Sequence, residues 1–189
     1  MYCFNLNLNI RPLKFDIDLP ASAPSGKTNY AETFSLNDVN PELIDILDSR
    51  DITVTWVEIF HKYNGMGCWE QIHIDEFQGN FAKLNWVYGG ADSYMCWFKQ
   101  KSNVNKQIKH NEIAGPYIGF NINEVDLVHK ELLQGPCVIQ AGSPHNVIMG
   151  AEHRHALSMV LVDKRSSVRK RLPIEEAYDR LKEYTVGAG

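Results

Sequence analysis

Strand-forming runs crowd the middle of this chain, and no helical pattern separates them. "ITVTWVEIFHKY" (Ile52 to Tyr63) is dense in β-branched and aromatic residues. "GMGC" reads as a turn and "WEQIHIDEF" as the strand after it. Two more runs flank Gly89, Gly90, Ala91 and Asp92, a hairpin signal. "GPYIGFNI", "GPCVIQAGSPHNVIMG" and "HRHALSMVLVDKR" add further strands, while "NEVDLVHKELLQ" fits either a short helix or a strand with a turn. The count is roughly eight to ten strands without βαβ alternation, which excludes a parallel sheet built on crossover helices. An antiparallel sandwich or jelly roll remains, with helices packed outside it.

The ends of the chain supply the rest. Phe4, Leu6, Leu8 and Ile10 alternate with polar residues and predict an opening strand. "PASAPSGKTN" (Pro20 to Asn29) reads as a loop. Asn40 as N-cap and Pro41 at the first helical position predict a helix with Leu43, Ile46 and Leu47 on one face. Pro173 and two glutamates open a second helix, with Ile174, Ala177, Tyr178 and Leu181 on one face. With 189 residues and no internal repeat, one domain over 1–189 is expected.

Composition excludes some partners. A net charge of -4 gives no general affinity for nucleic acid or anionic membrane. The basic run "SSVRKR" reads as a solvated loop. No apolar run reaches a membrane span, and the N-terminus lacks a signal-peptide pattern. Cys3, Cys68, Cys96 and Cys137 form no CxxC pair, so reduced thiols in a cytoplasmic compartment are expected, as small buried hydrophobes.

The chemistry begins at "QIHIDEF". His73 and Asp75 stand two apart on an expected strand and so share one face, with Ile72 and Ile74 on the other. If the two isoleucines face packed helices, His73 and Asp75 look into the sandwich. Unpaired charge is costly there. His145 follows the turn "AGSP" and opens a late strand. Two histidines and a carboxylate form the facial set that holds iron(II), Fe(II), with open positions. Further on, Arg154, Ala156 and Ser158 share a face. A guanidinium inside a sandwich calls for an anion. Its fork fits a carboxylate, and the Ser158 hydroxyl adds a donor. Asn85 faces opposite to Leu84 and Trp86, which points it toward the site. His153 and His155 are competing ligands, although His155 falls on the face opposite Arg154. His61, His110 and His129 read as surface or strand-end residues, and Trp69, Trp86, Tyr88, Tyr94 and Trp97 as sandwich walls.

His73-Ile74-Asp75, then His145, then Arg154 with Ser158, resembles the iron(II)- and 2-oxoglutarate-dependent oxygenases, most closely their prolyl-hydroxylase-like branch. The resemblance runs from about Thr53 to Val162. It implies a double-stranded β-helix (jelly roll, cupin-like) core, with His73, Asp75 and His145 on the iron. It implies Arg154 and Ser158 on the distal carboxylate of 2-oxoglutarate. A tyrosine on an inner strand often joins them in that branch, and Tyr88 and Tyr94 are both candidates. The implied activity hydroxylates a C–H bond of a peptidyl or small-molecule substrate and releases succinate and carbon dioxide. The alternative is a cupin-like metal- or ligand-binding protein without turnover. Arg154 separates the two, because a metal-only site has no use for it.

Overall fold

The computed structural model describes residues 1–24, 29–63, 72–75, 79–102, 107–111 and 115–187. In chain order the strands are β1 (Cys3–Asn5), β2 (Asn29–Phe34), β3 (Ile52–Lys62), β4 (Ile72–Ile74), β5 (Ala82–Gly89), β6 (Tyr94–Gln100), β7 (Gln107–Asn111), β8 (Gly115–Phe120), β9 (Val125–Glu131), β10 (Gly135–Gln140), β11 (His145–Ile148) and β12 (Arg154–Asp163). Helix α1 (Pro41–Asp48) precedes β3 and α2 (Ile174–Leu181) follows β12. Among the described residues the strands form two six-stranded antiparallel sheets, ordered β1-β10-β5-β12-β3-β2 and β7-β8-β4-β11-β6-β9. The architecture is a β-sandwich.

Two runs of four strands, β3 to β6 and β9 to β12, alternate between the sheets. β3, β5, β10 and β12 lie in the first, and β4, β6, β9 and β11 in the second. The expected hairpin at Gly89 and Gly90 is therefore not one, since β5 and β6 belong to different sheets. The turn signal was correct, because both glycines take positive φ (64° and 60°). A turn specifies only that the chain reverses, not that the flanking strands pair. This corner is tied to the neighbouring crossover from β11 to β12. Ala151 N donates to Asp92 Oδ2 (2.7 Å), Ala91 N to Glu152 Oε2 (3.0 Å) and Gly150 N to Ser93 Oγ (3.1 Å).

Both helices pack on the outer face of the first sheet. Leu43 and Leu47 of α1 and Ile174, Ala177 and Leu181 of α2 meet Ile59, Leu84, Trp86, Leu157 and Met159. Asn40 caps α1 by accepting from Glu42 N (3.1 Å). Ile44, not Ile46, joins Leu43 and Leu47 against the core. Tyr178 meets Phe4 edge-on. The predicted opening strand shrinks to β1, although Phe4, Leu6, Leu8 and Ile10 all pack against the same cluster. Alternation there reports burial, not a continuous ladder. β2 and β7 carry no strand signal recognised in the sequence. "NEVDLVHKELLQ" resolves into a 3-10 turn and β9. The "GMGC" turn, Cys68 and Trp69 lie outside the described residues.

Ile72 and Ile74 do face away from the sandwich interior, but no helix among the described residues covers them. They pack with Cys96, Phe98, Ile118 and Phe120 in a separate cluster on the second sheet. Between the sheets one part of the interior is apolar, built around Trp97, Met95, Leu133, Cys137 and Ile139. The indole of Trp97 donates to Gln140 O (2.8 Å). The other part is open and polar. No helix among the described residues is long and apolar enough to cross a membrane.

One irregularity sets which residues face that opening. In β3, Val57 pairs with Met159 and Thr55 with Val160, leaving Trp56 as the extra residue of a bulge, at φ 55°. The bulge shifts the alternation by one. Ile52 and Val54 before it and Val57 and Ile59 after it all pack on the helix side. Glu58, Phe60 and Lys62 consequently point to the interior.

Candidate metal centre and anion pocket

A cavity of about 670 Å³ opens between the sheets, and it gathers most of the residues singled out in the sequence. His73 from β4, Asp75 just beyond it and His145 from β11 line it, with Asn85 from β5 and Arg154, Ala156 and Ser158 from β12. His145 sits directly opposite His73 in the β11–β4 ladder, which joins positions far apart in the chain. His73 Nε2 lies 3.0 Å from Asp75 Oδ1, and His145 Nε2 lies 3.6 Å from the same oxygen. The two imidazole centroids are 4.7 Å apart. One donor atom from each residue lies within 4.8 Å of the other two, close enough for three ligands around one ion.

Neighbouring groups fix this arrangement. His145 Nδ1 donates to the Ser143 carbonyl (2.8 Å), which leaves Nε2 with a free lone pair facing Asp75. Burial pushes the His145 imidazole down to about 4, with the Asp75 carboxylate pulling the other way. It is therefore neutral, the form that binds metal. Lys83 lines the same cavity and grips the second carboxylate oxygen, with Nζ 2.8 Å from Asp75 Oδ2. One oxygen of Asp75 thus faces the imidazoles and the other is held. Burial alone would raise the Asp75 carboxyl. Lys83 first, then His145 and His73, more than offset that and hold it well below the usual carboxylate range. Lys83 also reaches Glu58 Oε1 (3.4 Å), and the Trp56 indole donates to Glu58 Oε2 (2.7 Å).

Lys83 and Glu58 are both buried, so removing the cation leaves Glu58 and Asp75 without their partner. Lys83→Met is expected to destabilise the metal-free protein by about 3–5 kcal/mol, read from denaturant unfolding. Unchanged stability would mean that the ion pair is open to water.

Arg154 presents a different electrostatic problem. It is only 6% exposed, and among the described residues no carboxylate pairs with it. Lys62, its direct neighbour across the β12–β3 ladder, lines the same cavity. Burial pushes the Arg154 guanidinium down to about 10. Burial, with Arg154 alongside, pushes the Lys62 ammonium down to about 8. Two neighbouring cations in a shielded pocket form a site for an anion. Asn85 Oδ1, buried in the same cavity, has no hydrogen-bond partner among the described residues.

Some expectations fail here. Tyr88 and Tyr94 do not line the cavity. Tyr88 packs on the helix side of the first sheet, and Tyr94 on the outer cluster of the second. The strand period decides both, since each alternates with a residue that does face inward, Lys83 and Asn85 in β5 and Met95 in β6. The tyrosines at the cavity are Tyr30 and Tyr117. Lys83 was legible in principle, because it shares a strand face with Asn85. Glu58 and Lys62 were not, because their direction depends on the Trp56 bulge.

His61, at the cavity wall, groups with His153 and His155 and not with the triad. His61 stands at the end of β3 but is buried there, and its Nδ1 lies 2.8 Å from Nδ1 of His155. His153 and His155 both sit edge-on to Tyr63, so neither joins the triad. The His110 side chain lies outside the described residues. Burial, then the like charges of His61 and His153, push His155 down to about 4. An unfolded histidine titrates near 6.5. Between those values the unfolded chain binds the proton and the folded one does not. The stability contributed is therefore complete above about pH 6.5 and is lost as pH falls toward 4. Denaturant midpoints of metal-free protein should fall across this window, by on the order of 2–3 kcal/mol for this residue. In His155→Gln the fall should be correspondingly shallower. An equal fall in both proteins would show that His155 titrates normally.

No family model matches this sequence, and no curated protein matches it. Among solved structures the chain is similar to the X-ray structure of E. coli ycfD, at 12% identity and a TM-score of 0.32. That match covers 56% of this chain and 25% of the other, so it spans about a quarter of that structure's length. A likeness of this size carries no argument about function.

Proposed function

We propose that this protein is an iron(II)- and 2-oxoglutarate-dependent dioxygenase with a double-stranded β-helix core. The alternation of β3 to β6 and of β9 to β12 between the two sheets supports that topology, because each run winds across one shared interior. The single observation that carries the function is the anion pocket. Arg154, buried and without a carboxylate partner among the described residues, lines the same cavity as His73, Asp75 and His145. A metal-binding protein without cosubstrate gains nothing from a buried guanidinium beside Lys62.

The donor set fits iron(II). Two imidazole nitrogens and one carboxylate oxygen are grouped closely enough for one ion, and a set this small leaves positions for other ligands. When bound, iron(II) with 2-oxoglutarate supplies the oxygen-dependent chemistry that hydroxylates a C–H bond while the cosubstrate becomes succinate and carbon dioxide. The chain's own residues bind and orient. Arg154 receives the distal carboxylate in its fork, Ser158 on the same strand face donates to it, and Lys62 adds charge. Lys83 holds Asp75 so that one oxygen stays directed at the imidazoles. Asn85 offers its unpartnered amide oxygen to a donor in the cavity. The substrate class is a peptidyl side chain or a small molecule.

The test is anaerobic addition of iron(II) and 2-oxoglutarate, followed by admission of oxygen. A weak visible charge-transfer band and then succinate formation are expected. Iron binding with no affinity for 2-oxoglutarate would instead leave a cupin-like metal-binding protein.

A further inference from the structure

A second cluster of metal-binding side chains lies away from this cavity, where the sheets meet at their edges. β1 ends the first sheet and β9 ends the second, so the two strands do not pair. Cys3 on β1 nevertheless faces His129 and Glu131 on β9. Cys3 Sγ is 3.8 Å from His129 Nε2, and that nitrogen is 3.5 Å from Glu131 Oε2. One donor atom from each residue lies within 4.8 Å of the other two. His129 and Glu131 share a strand face because they stand two apart. The imidazole is held in place, stacked on Tyr2 at 5.5 Å and 15° and beside Trp97 at 5.5 Å.

Tetrahedral coordination at about 2.3 Å from sulfur and about 2.0–2.2 Å from nitrogen and oxygen separates S from N by about 3.6 Å, and N from O by about 3.4 Å. The observed separations need only small adjustments to reach those values. The chemistry of the set is also distinct from that of the first site. A thiolate with an imidazole and a carboxylate favours zinc-type ions over magnesium or calcium.

We propose that Cys3, His129 and Glu131 form a second metal site, for zinc or a similar divalent ion, which clasps the N-terminal strand to the edge of the second sheet. Three protein ligands leave a fourth position for water, and the half-buried setting of all three keeps that position accessible. The site is independent of the oxygenase reading. The alternative for the same distances is a metal-free contact in which the Nε2–H of His129 is shared between the Cys3 sulfur and the Glu131 carboxylate.

Cobalt(II) distinguishes them, because a thiolate ligand gives an intense near-ultraviolet charge-transfer band that imidazole and carboxylate do not. Wild-type protein titrated with cobalt(II) should develop the band at one equivalent per thiolate site, and zinc should remove it. His145→Ala, which strips a donor from the other site, should keep the band at full intensity. Cys3→Ser and His129→Ala should lose it, with folding checked by circular dichroism. Glu131→Gln, a mild change on a half-exposed side chain, should keep the band but weaken cobalt affinity at least about tenfold. Absence of the band in wild type overturns the proposal. So does its persistence in Cys3→Ser, which would assign it to another cysteine, or an unchanged affinity in Glu131→Gln.

Discussion

Replacing Arg154 with alanine is expected to weaken 2-oxoglutarate binding at least about 30-fold. The guanidinium is buried and lacks a carboxylate partner among the described residues, so a bound carboxylate would be its principal counter-charge. Truncating one member of a buried charge pair costs about 2–5 kcal/mol, on the order of 30- to several-thousand-fold. Lys62 remains beside the pocket and limits the loss, which favours the lower half of that range. Arg154→Lys should recover only part, because an ammonium cannot reproduce the fork. Ser158→Ala should cost less, about 0.5–2 kcal/mol, if its hydroxyl donates to the same carboxylate. Iron affinity should change little in all three variants, since neither residue belongs to the donor set. Calorimetric titration of 2-oxoglutarate into iron-loaded protein, with succinate formation alongside, gives both numbers. Wild-type affinity in Arg154→Ala would remove the residue from the anion site.

Replacing His145 or His73 with alanine is expected to abolish iron(II) binding, and Asp75→Ala to weaken it strongly. Each imidazole supplies one of three donors grouped there, and among the described residues no other histidine joins that group. His153 and His155 are engaged with Tyr63 and His61 and do not line the cavity. Asp75→Ala differs in kind, because it also leaves Lys83 with Glu58 alone. That variant should lose stability as well as metal, whereas His73→Ala, on a half-buried residue, should lose metal chiefly. Metal analysis after desalting and thermal melting of the same samples separate the two effects. Full iron retention in the His145 variant would take that residue out of the centre.

What could be read along the chain was whatever depends on the two-residue period of a strand. His73 and Asp75 on one face, Arg154 with Ser158 on another, and Asn85 opposite Leu84 and Trp86 all line the cavity as that period requires. Tyr88 and Tyr94 obey the same rule and for that reason face outward. A family pattern does not override the face that the neighbours on its own strand assign to each tyrosine. Helix α1 was equally local, since its start depends on Asn40 and Pro41 within one turn. Composition and pattern therefore determined a β-rich sandwich with helices outside it, and the short list of residues that face inward together.

The tertiary structure decided which of those faces meet. Pairing β11 with β4 sets His145 opposite His73, and no local signal carries that register. The bulge at Trp56 turns Glu58 and Lys62 inward, and only the ladder with β12 reveals it. Lys83 became the partner of Asp75 because β4 and β5 face each other across the interior from different sheets. The turn at Gly89 was legible, but its destination was not. Side-chain direction within a strand follows from covalent geometry and a few neighbouring residues. The choice of partner strand is settled by backbone hydrogen bonds and burial summed over the whole chain, and no short segment contains that sum.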